Sequence, residues 1–336
     1  MDLTTTYLGL ELAHPIVASA GPLTQTVDGV RQLADGGAAA IVLHSLFEEQ
    51  LRAEIARDER LLSAHADSFP EALDYFPSAP VTTRSAAYSY LSLVERASKA
   101  VGVPVIASLN GSDLGSWVEF ARELADAGAA ALELNIYMVP GDVKTTGDLV
   151  VKRHLEIVSA VTDAVSIPVS VKMSPYFSSV GNVALQLVDA GASGLVLFNR
   201  FLQPDVNIET LHTDAPFELS TPQEGRLPRT WIASLRNQTD ASLAGSSGVE
   251  SSDDVVRYLL AGADVVMTTA ALIRHGRSYP REMLGGLQAW MVRKGFVSLS
   301  QARGMLAVPS ITDGEAAGRG GYVAAIQAAK ERYGAL

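Results

Sequence analysis

The sequence predicts an α/β protein built as a single (β/α)8 TIM barrel, and three observations point there. Four helix-period segments stop at a small Ala/Gly cluster and run straight into an apolar strand. Two further strands open on proline, where a missing N–H costs least. With two more apolar stretches the strands number eight and alternate with helices, which reads as a parallel sheet covered on both faces and closed on itself.

In chain order, Pro15-Ile16-Val17-Ala18 is the first strand. Gly36-Gly37-Ala38 ends a helix before the second, Ala39 to Leu43, and the third starts at Pro104. Ala127-Gly128-Ala129 leads into the fourth, Ala131-Leu132-Glu133-Leu134, and the fifth is Pro168 to Lys172. Ala190-Gly191-Ala192 precedes the sixth, Gly194 to Phe198. The seventh is Ala241 to Gly245, and Ala261-Gly262-Ala263 precedes the eighth, Val265-Val266-Met267. The rival architecture, an open doubly wound sheet, would open with a glycine-rich dinucleotide turn, and Ser19-Ala20-Gly21-Pro22 lacks that pattern. One domain is expected over residues 1–336, with long loops after the second and sixth strands at roughly 46–103 and 200–227. Both overhang the C-terminal face, where barrel active sites lie. Glu48 to Arg60 reads as an exposed helix, and Tyr75-Phe76-Pro77 as an irregular loop.

Composition narrows the function. A net charge of −11 (26 basic against 37 acidic residues) excludes a basic nucleic-acid clamp. With no cysteine, thiolate nucleophiles, Cys-ligated zinc and iron-sulfur clusters are excluded. The six histidines show no metal-ligand spacing, so no metal is expected. The acidic, polar start does not resemble a signal peptide, and no apolar run is long enough for a membrane span. A cytoplasmic protein with a small-molecule substrate, in the form of a homodimer or not, is the expectation.

The strand ends then give the candidate site: Ser19, Ala20, His44, Ser45, Asn110, Asn135, Lys172, Asn199, Ser246, Ser247, Gly248, Thr268 and Thr269. The ring is small, polar and neutral, with one lysine and no carboxylate pair for glycosidase chemistry. Lys172 ends an apolar strand, which leaves open a snorkelling side chain, a Schiff base of lyase or aldolase type, or a cation beside an anionic cofactor ring. Gly245-Ser246-Ser247-Gly248 followed by a helix opening at Ser251-Ser252-Asp253-Asp254, together with Thr268-Thr269-Ala270, suits a phosphate held by N–H groups. His44 and Tyr137 are the available acid/base groups.

These stretches resemble the dihydroorotate dehydrogenase family of FMN-binding barrels, in its dihydroorotate dehydrogenase-like branch. The matching motifs are Pro15 to Gly21, Leu132-Glu133-Leu134-Asn135, Val169 to Phe177 with Lys172, the strand ending at Asn199, and Gly245 to Val249 with Leu259 to Ala263. The resemblance implies FMN, with Ala20, Gly21 and Ser45 along the flavin, Asn135 and Lys172 at the isoalloxazine ring, Gly248, Thr269 and Ala270 at the phosphate, and Asn199 on the substrate side. Asn110 and Ser247 complete the expected cofactor set. It also implies hydride transfer to or from a CH–CH or C=C substrate, dihydroorotate or fumarate among them, and a place in pyrimidine biosynthesis. Three departures matter. Asn135-Ile136-Tyr137-Met138-Val139-Pro140-Gly141 lacks the family's Ser or Cys base. His44 stands where a lysine is usual, and Tyr75 to Pro80 replaces the substrate loop. Tyr137, His44 and Lys172 are therefore the expected catalytic residues. A flavin-binding sensor, carrier or assembly partner without dihydroorotate turnover is the alternative.

Overall fold

The computed structural model describes residues 1–49, 86–111, 117–138, 142–214, 218–310 and 314–334. The loop expected at Tyr75 to Pro80 and most of the expected 48–60 helix lie outside them; Glu48, expected to be exposed, is buried.

Each Ala/Gly junction does what its composition demands. Gly37, Gly128, Gly191 and Gly262 have φ of 94°, 97°, 106° and 118°, the left-handed conformation that ends a helix without a Cβ penalty. They follow α1 (Val27–Asp35), α3 (Trp117–Asp126), α5 (Val180–Asp189) and α7 (Ser252–Ala261), and lead into β4 (Ile41–Phe47), β6 (Ala131–Ile136), β8 (Gly194–Leu197) and β12 (Val265–Thr268). The other barrel strands are β3 (Ile16–Ala18), β5 (Val105–Gly111), β7 (Val169–Lys172) and β11 (Ser242–Gly245). Eight parallel strands close in the order β3-β4-β5-β6-β7-β8-β11-β12, as the sequence predicts. Two hairpins were not anticipated: β1 (Thr5–Tyr7) with β2 (Leu10–Leu12), and β9 (Asp205–Asn207) with β10 (His212–Asp214).

The strands alternate with period two. Val105, Ala107, Leu109, Leu132, Leu134, Val169 and Val171 pack outward against Leu93, Val94, Leu124, Ile157 and Leu187 of the helical layer. Val17, Val42, Ile106, Ala131, Val196, Ala244, Val265 and Met267 form a separate inner cluster with Tyr7, Leu8 and Leu12. The N-terminal hairpin thus supplies the apolar floor of the barrel. It is tied down by the Leu8 N–H donating to Ser242 Oγ at 2.9 Å and by Thr5 Oγ1 donating to the Asp264 carbonyl at 2.9 Å. Burying each such leucine contributes roughly 1.5–3 kcal/mol. Asp264, 5% exposed, accepts from Arg236 Nη1 at 2.9 Å, Arg303 Nη1 at 2.8 Å and the Leu243 N–H at 2.8 Å, so stability is concentrated at this end. Among the described residues no helix is long and apolar enough to cross a membrane.

Two histidines are built into this frame. His14 Nδ1 accepts the Ile16 N–H at 3.3 Å, and in α4 (Gly147–Thr162) His154 Nδ1 lies 2.7 Å from the Val150 carbonyl with its ring edge-on to Phe177. Burial lowers both pKa values below the ordinary 6.5. The unfolded chain therefore binds protons at a pH where the native protein does not, and stability falls as pH drops below about 6.5, by at most about 1.4 kcal/mol per pH unit for each group. Urea midpoints are expected to hold between pH 7 and 8 and to decline from pH 6.5 to 5, with proton uptake on unfolding. A midpoint that does not change over that range would contradict this placement of the histidines.

Candidate active site

Above the apolar floor, the inward positions turn polar. Register sets Ser45, Ser108, Glu133 and Ser170 side by side, and Asn110 opposite Asn135 one step nearer the C-terminal face. Ser45 Oγ and Ser108 Oγ are 2.8 Å apart. Lys172, two residues beyond Ser170, also points inward, and its Nζ lies 3.4 Å from Glu133 Oε1. Lys172 is 9% exposed and Glu133 1%. Glu133 Oε2 is buried without a hydrogen-bond partner. Tyr7 reaches the same level from the hairpin; burial first, then the Glu133 charge, raises its phenol pKa.

Glu133, which is not among the expected site residues, is the partner of Lys172. The alternation in Leu132-Glu133-Leu134-Asn135 was the available signal, since it puts Glu133 and Asn135 on one face. Lys172 is not a snorkelling side chain. Its Nζ is buried against the Glu133 carboxylate.

At the mouth, Asn199 Nδ2 donates to Asn135 Oδ1 at 2.6 Å, and Asn199 Oδ1 accepts the Arg200 N–H at 2.8 Å. Tyr137 stacks on Phe201 with ring centroids 4.4 Å apart, Tyr176 meets Phe201 edge-on, and the Tyr137 hydroxyl accepts the Leu202 N–H at 3.1 Å. Phe201 and Tyr176 were not among the expected residues; neither lies on a strand, so no period marked them. His44 sits elsewhere. A register shift between Val42 and Ser45 leaves its ring edge-on to Tyr90 of α2 (Ala86–Ala100), 5.1 Å between centroids. Burial lowers its pKa below 6.5.

The third side is the turn after β11. Ser247 and Gly248 have consecutive positive φ of 74° and 65°, and the Gly248 N–H donates to Ser220 Oγ at 3.4 Å. A Cβ on Gly248 would lie 2.5 Å from Gly225 N and 2.7 Å from the Thr221 carbonyl, so only glycine fits. Tyr258 holds the turn from below, its hydroxyl within 2.8 Å of the Ser246 carbonyl and 2.7 Å of the Ser247 carbonyl. Segment 218–225 covers it, clamped by Arg200 to Glu224 Oε2 at 2.7 Å and by Arg274 to the Ser220 carbonyl at 3.0 Å. Beside it, Thr269 Oγ1 donates to the Ser19 carbonyl at 2.8 Å, and a Cβ on Gly21 would lie 2.5 Å from Thr269 Cγ2. Ala20, Gly21, Thr269 and Ala270 are thus brought together, as are Asn110, Asn135, Asn199 and Lys172. The arrangement brings one buried lysine, neutral hydrogen-bonding groups and the left-handed Ser247–Gly248 turn around one opening.

Comparison with known proteins fits this geometry. A family model described as dihydroorotate dehydrogenase matches residues 81–291, more than half of the chain. The dihydroorotate dehydrogenase B (NAD(+)) catalytic subunit of Thermoplasma acidophilum is 26% identical over 310 residues, which is 90% of this chain and 98% of that one. The protein of the same name from Methanothermobacter thermautotrophicus is 26% identical over 321 residues, with 90% and 98% covered. That from Bacillus pumilus is 30% identical over 176 residues, half of this chain and 56% of its own.

The buried ion pair makes a thermodynamic prediction. Lys172→Met leaves the Glu133 carboxylate buried without its cation and is expected to lower unfolding free energy by about 3–5 kcal/mol. Adding Glu133→Gln removes the stranded charge and should recover most of that loss in urea denaturation. Simple additivity of the two substitutions would show that the pair is not coupled.

Proposed function

The chain belongs to the dihydroorotate dehydrogenase family, and from that premise we propose that it is an FMN-dependent oxidoreductase acting on a CH–CH bond, with hydride transfer between flavin and a small organic acid such as dihydroorotate or fumarate. The observation that carries the reading is the buried Lys172 ammonium, converging with Asn110, Asn135 and Asn199 on the opening beside the Ser247–Gly248 turn. A cofactor with an electron-accepting ring that gains negative charge on reduction, and with a terminal phosphate, fits that donor set. Gly248 is held close under segment 218–225, where a Cβ would meet Gly225 N and the Thr221 carbonyl. Ser247, Gly248, Gly21, Thr269 and Ala270 are the residues that would hold the phosphate. Asn110, Asn135 and Lys172 would meet the ring, with Ala20 and Ser45 alongside. When bound, FMN supplies the hydride chemistry; the protein supplies position and electrostatics.

The chain's own contributions follow from its groups. The Lys172 cation favours negative charge developing nearby, and a small, preorganised ring of amides costs no reorganisation as it does so. Taking hydride from a CH–CH bond leaves a proton that needs a positioned base. Tyr137 borders the opening with its hydroxyl oxygen accepting the Leu202 N–H, and it would take the substrate proton by passing its own on through a relay. His44, neutral near pH 7 because of burial, is the second candidate, although its ring packs against Tyr90. Asn199 orients Asn135 on the substrate side. A cytoplasmic place in pyrimidine biosynthesis accords with this reading. A second reading, a flavin binder that does not turn over dihydroorotate, is favoured by the absence of Ser and Cys from Asn135 to Gly141.

Stopped-flow mixing of the oxidised protein with dihydroorotate, and of the reduced protein with fumarate, tests the proposal. The enzyme reading expects substrate-dependent bleaching or recovery of the flavin band, slowed about 10² to 10⁴-fold by Tyr137→Phe with the bound spectrum retained. Fast turnover that survives both Tyr137→Phe and His44→Ala would show that neither is the base. A flavin band indifferent to every substrate offered would favour the binder.

A further inference from the structure

We propose that Glu133 is a positioning residue that holds Lys172 at the opening and offsets part of its charge, and so sets the reduction potential of the flavin bound there; the inference rests on the flavin reading above. Nothing in the expected catalytic set accounts for this carboxylate. It is the most deeply buried charged residue among the described residues, at 1% exposed, and an isolated ion there would be costly. One oxygen, Oε1, takes the Lys172 ammonium at 3.4 Å, and the other is without a hydrogen-bond partner. Its surroundings keep the local dielectric low: Tyr7 closes the barrel beneath it, and Ser108 and Ser170, both fully buried, flank it in register. In such a setting opposite charges are felt strongly and water cannot screen them. What reaches the opening is therefore the field of a cation reduced by a carboxylate behind it.

This gives the inference a sign. Reduced flavin carries more negative charge than oxidised flavin, so a stronger positive field favours reduction. Glu133→Gln keeps an oxygen to accept from Lys172 and removes the offsetting charge, so it is expected to raise the ratio of reduced to oxidised affinity roughly tenfold, which for a two-electron couple is about 30 mV upward. Lys172→Met is expected to move the potential in the opposite direction. A residue that merely filled space would shift stability without this signed pair.

The experiment is spectroelectrochemical titration of the flavin-loaded protein, wild type against Glu133→Gln and Lys172→Met. FMN affinity of the apoprotein is measured in parallel to register any loss of fold. A raised potential in Glu133→Gln with a lowered one in Lys172→Met supports the proposal. An unchanged or lowered potential in Glu133→Gln overturns it while leaving the flavin reading intact. A wild-type protein that binds no FMN overturns both. If Glu133→Gln does not fold, Glu133→Asp is titrated instead. Its shorter side chain draws the carboxylate back from Lys172, a smaller rise is expected, and no rise overturns the proposal.

Discussion

A lysine and a glutamate held 3.4 Å apart inside a closed barrel impose conditions on everything around them. Two ions removed from water pay a desolvation cost of several kcal/mol each, which their attraction repays only when neither can move away and no partner is lost. The barrel meets that condition with strands rather than loops. Glu133 is fixed in β6 and Lys172 at the end of β7, adjacent strands whose register is set by backbone bonds from Leu132 opposite Val169 to Leu134 opposite Val171. Shifting either strand by one residue would send its charge into the outer apolar layer and a leucine or valine inward. The pair thus depends on the register, and the register is enforced by the apolar residues between the charges.

The interior is graded along the barrel axis by the same alternation. At the N-terminal end, Leu8 and Leu12 of the hairpin meet Val17, Ile106 and Val265 in a dry floor. Midway stand Ser108, Ser170 and Glu133, and at the opening the asparagines and Lys172. The residues proposed to bind and react are carried on the rim of a structure whose buried ion network lies at the opposite end, around Asp264 and its two arginines. This separation lets the rim adopt unfavourable geometry, such as the left-handed Ser247. The cost of that geometry is met by Tyr258 and by the clamped segment 218–225.

The barrel was legible because its signals are local and repeated: every Ala/Gly junction ended a helix, and each apolar stretch became a strand in the expected order. The identity of the rim residues followed from counting to strand ends. What was not legible depended on pairings between distant segments. Tyr7 reaches Glu133 across more than a hundred residues of sequence, from a hairpin whose Leu8-Gly9 turn is not a typical turn dipeptide. The partnership of Glu133 with a lysine on the next strand depends on strand register, which no local pattern encodes. His44 was expected at the opening by its place in β4, but the register shift at Val42 to Ser45 turns it toward Tyr90. Sequence period cannot foresee a bulge that adds one residue to a strand.

The central claim is that this opening holds a flavin mononucleotide over a buried cation. The most direct test is the visible absorption spectrum of the purified protein, followed by heat release and chromatographic identification of what it carried. The account predicts a yellow protein with one FMN per chain. A colourless protein that takes up no FMN when it is supplied, or one that releases FAD instead, would contradict it.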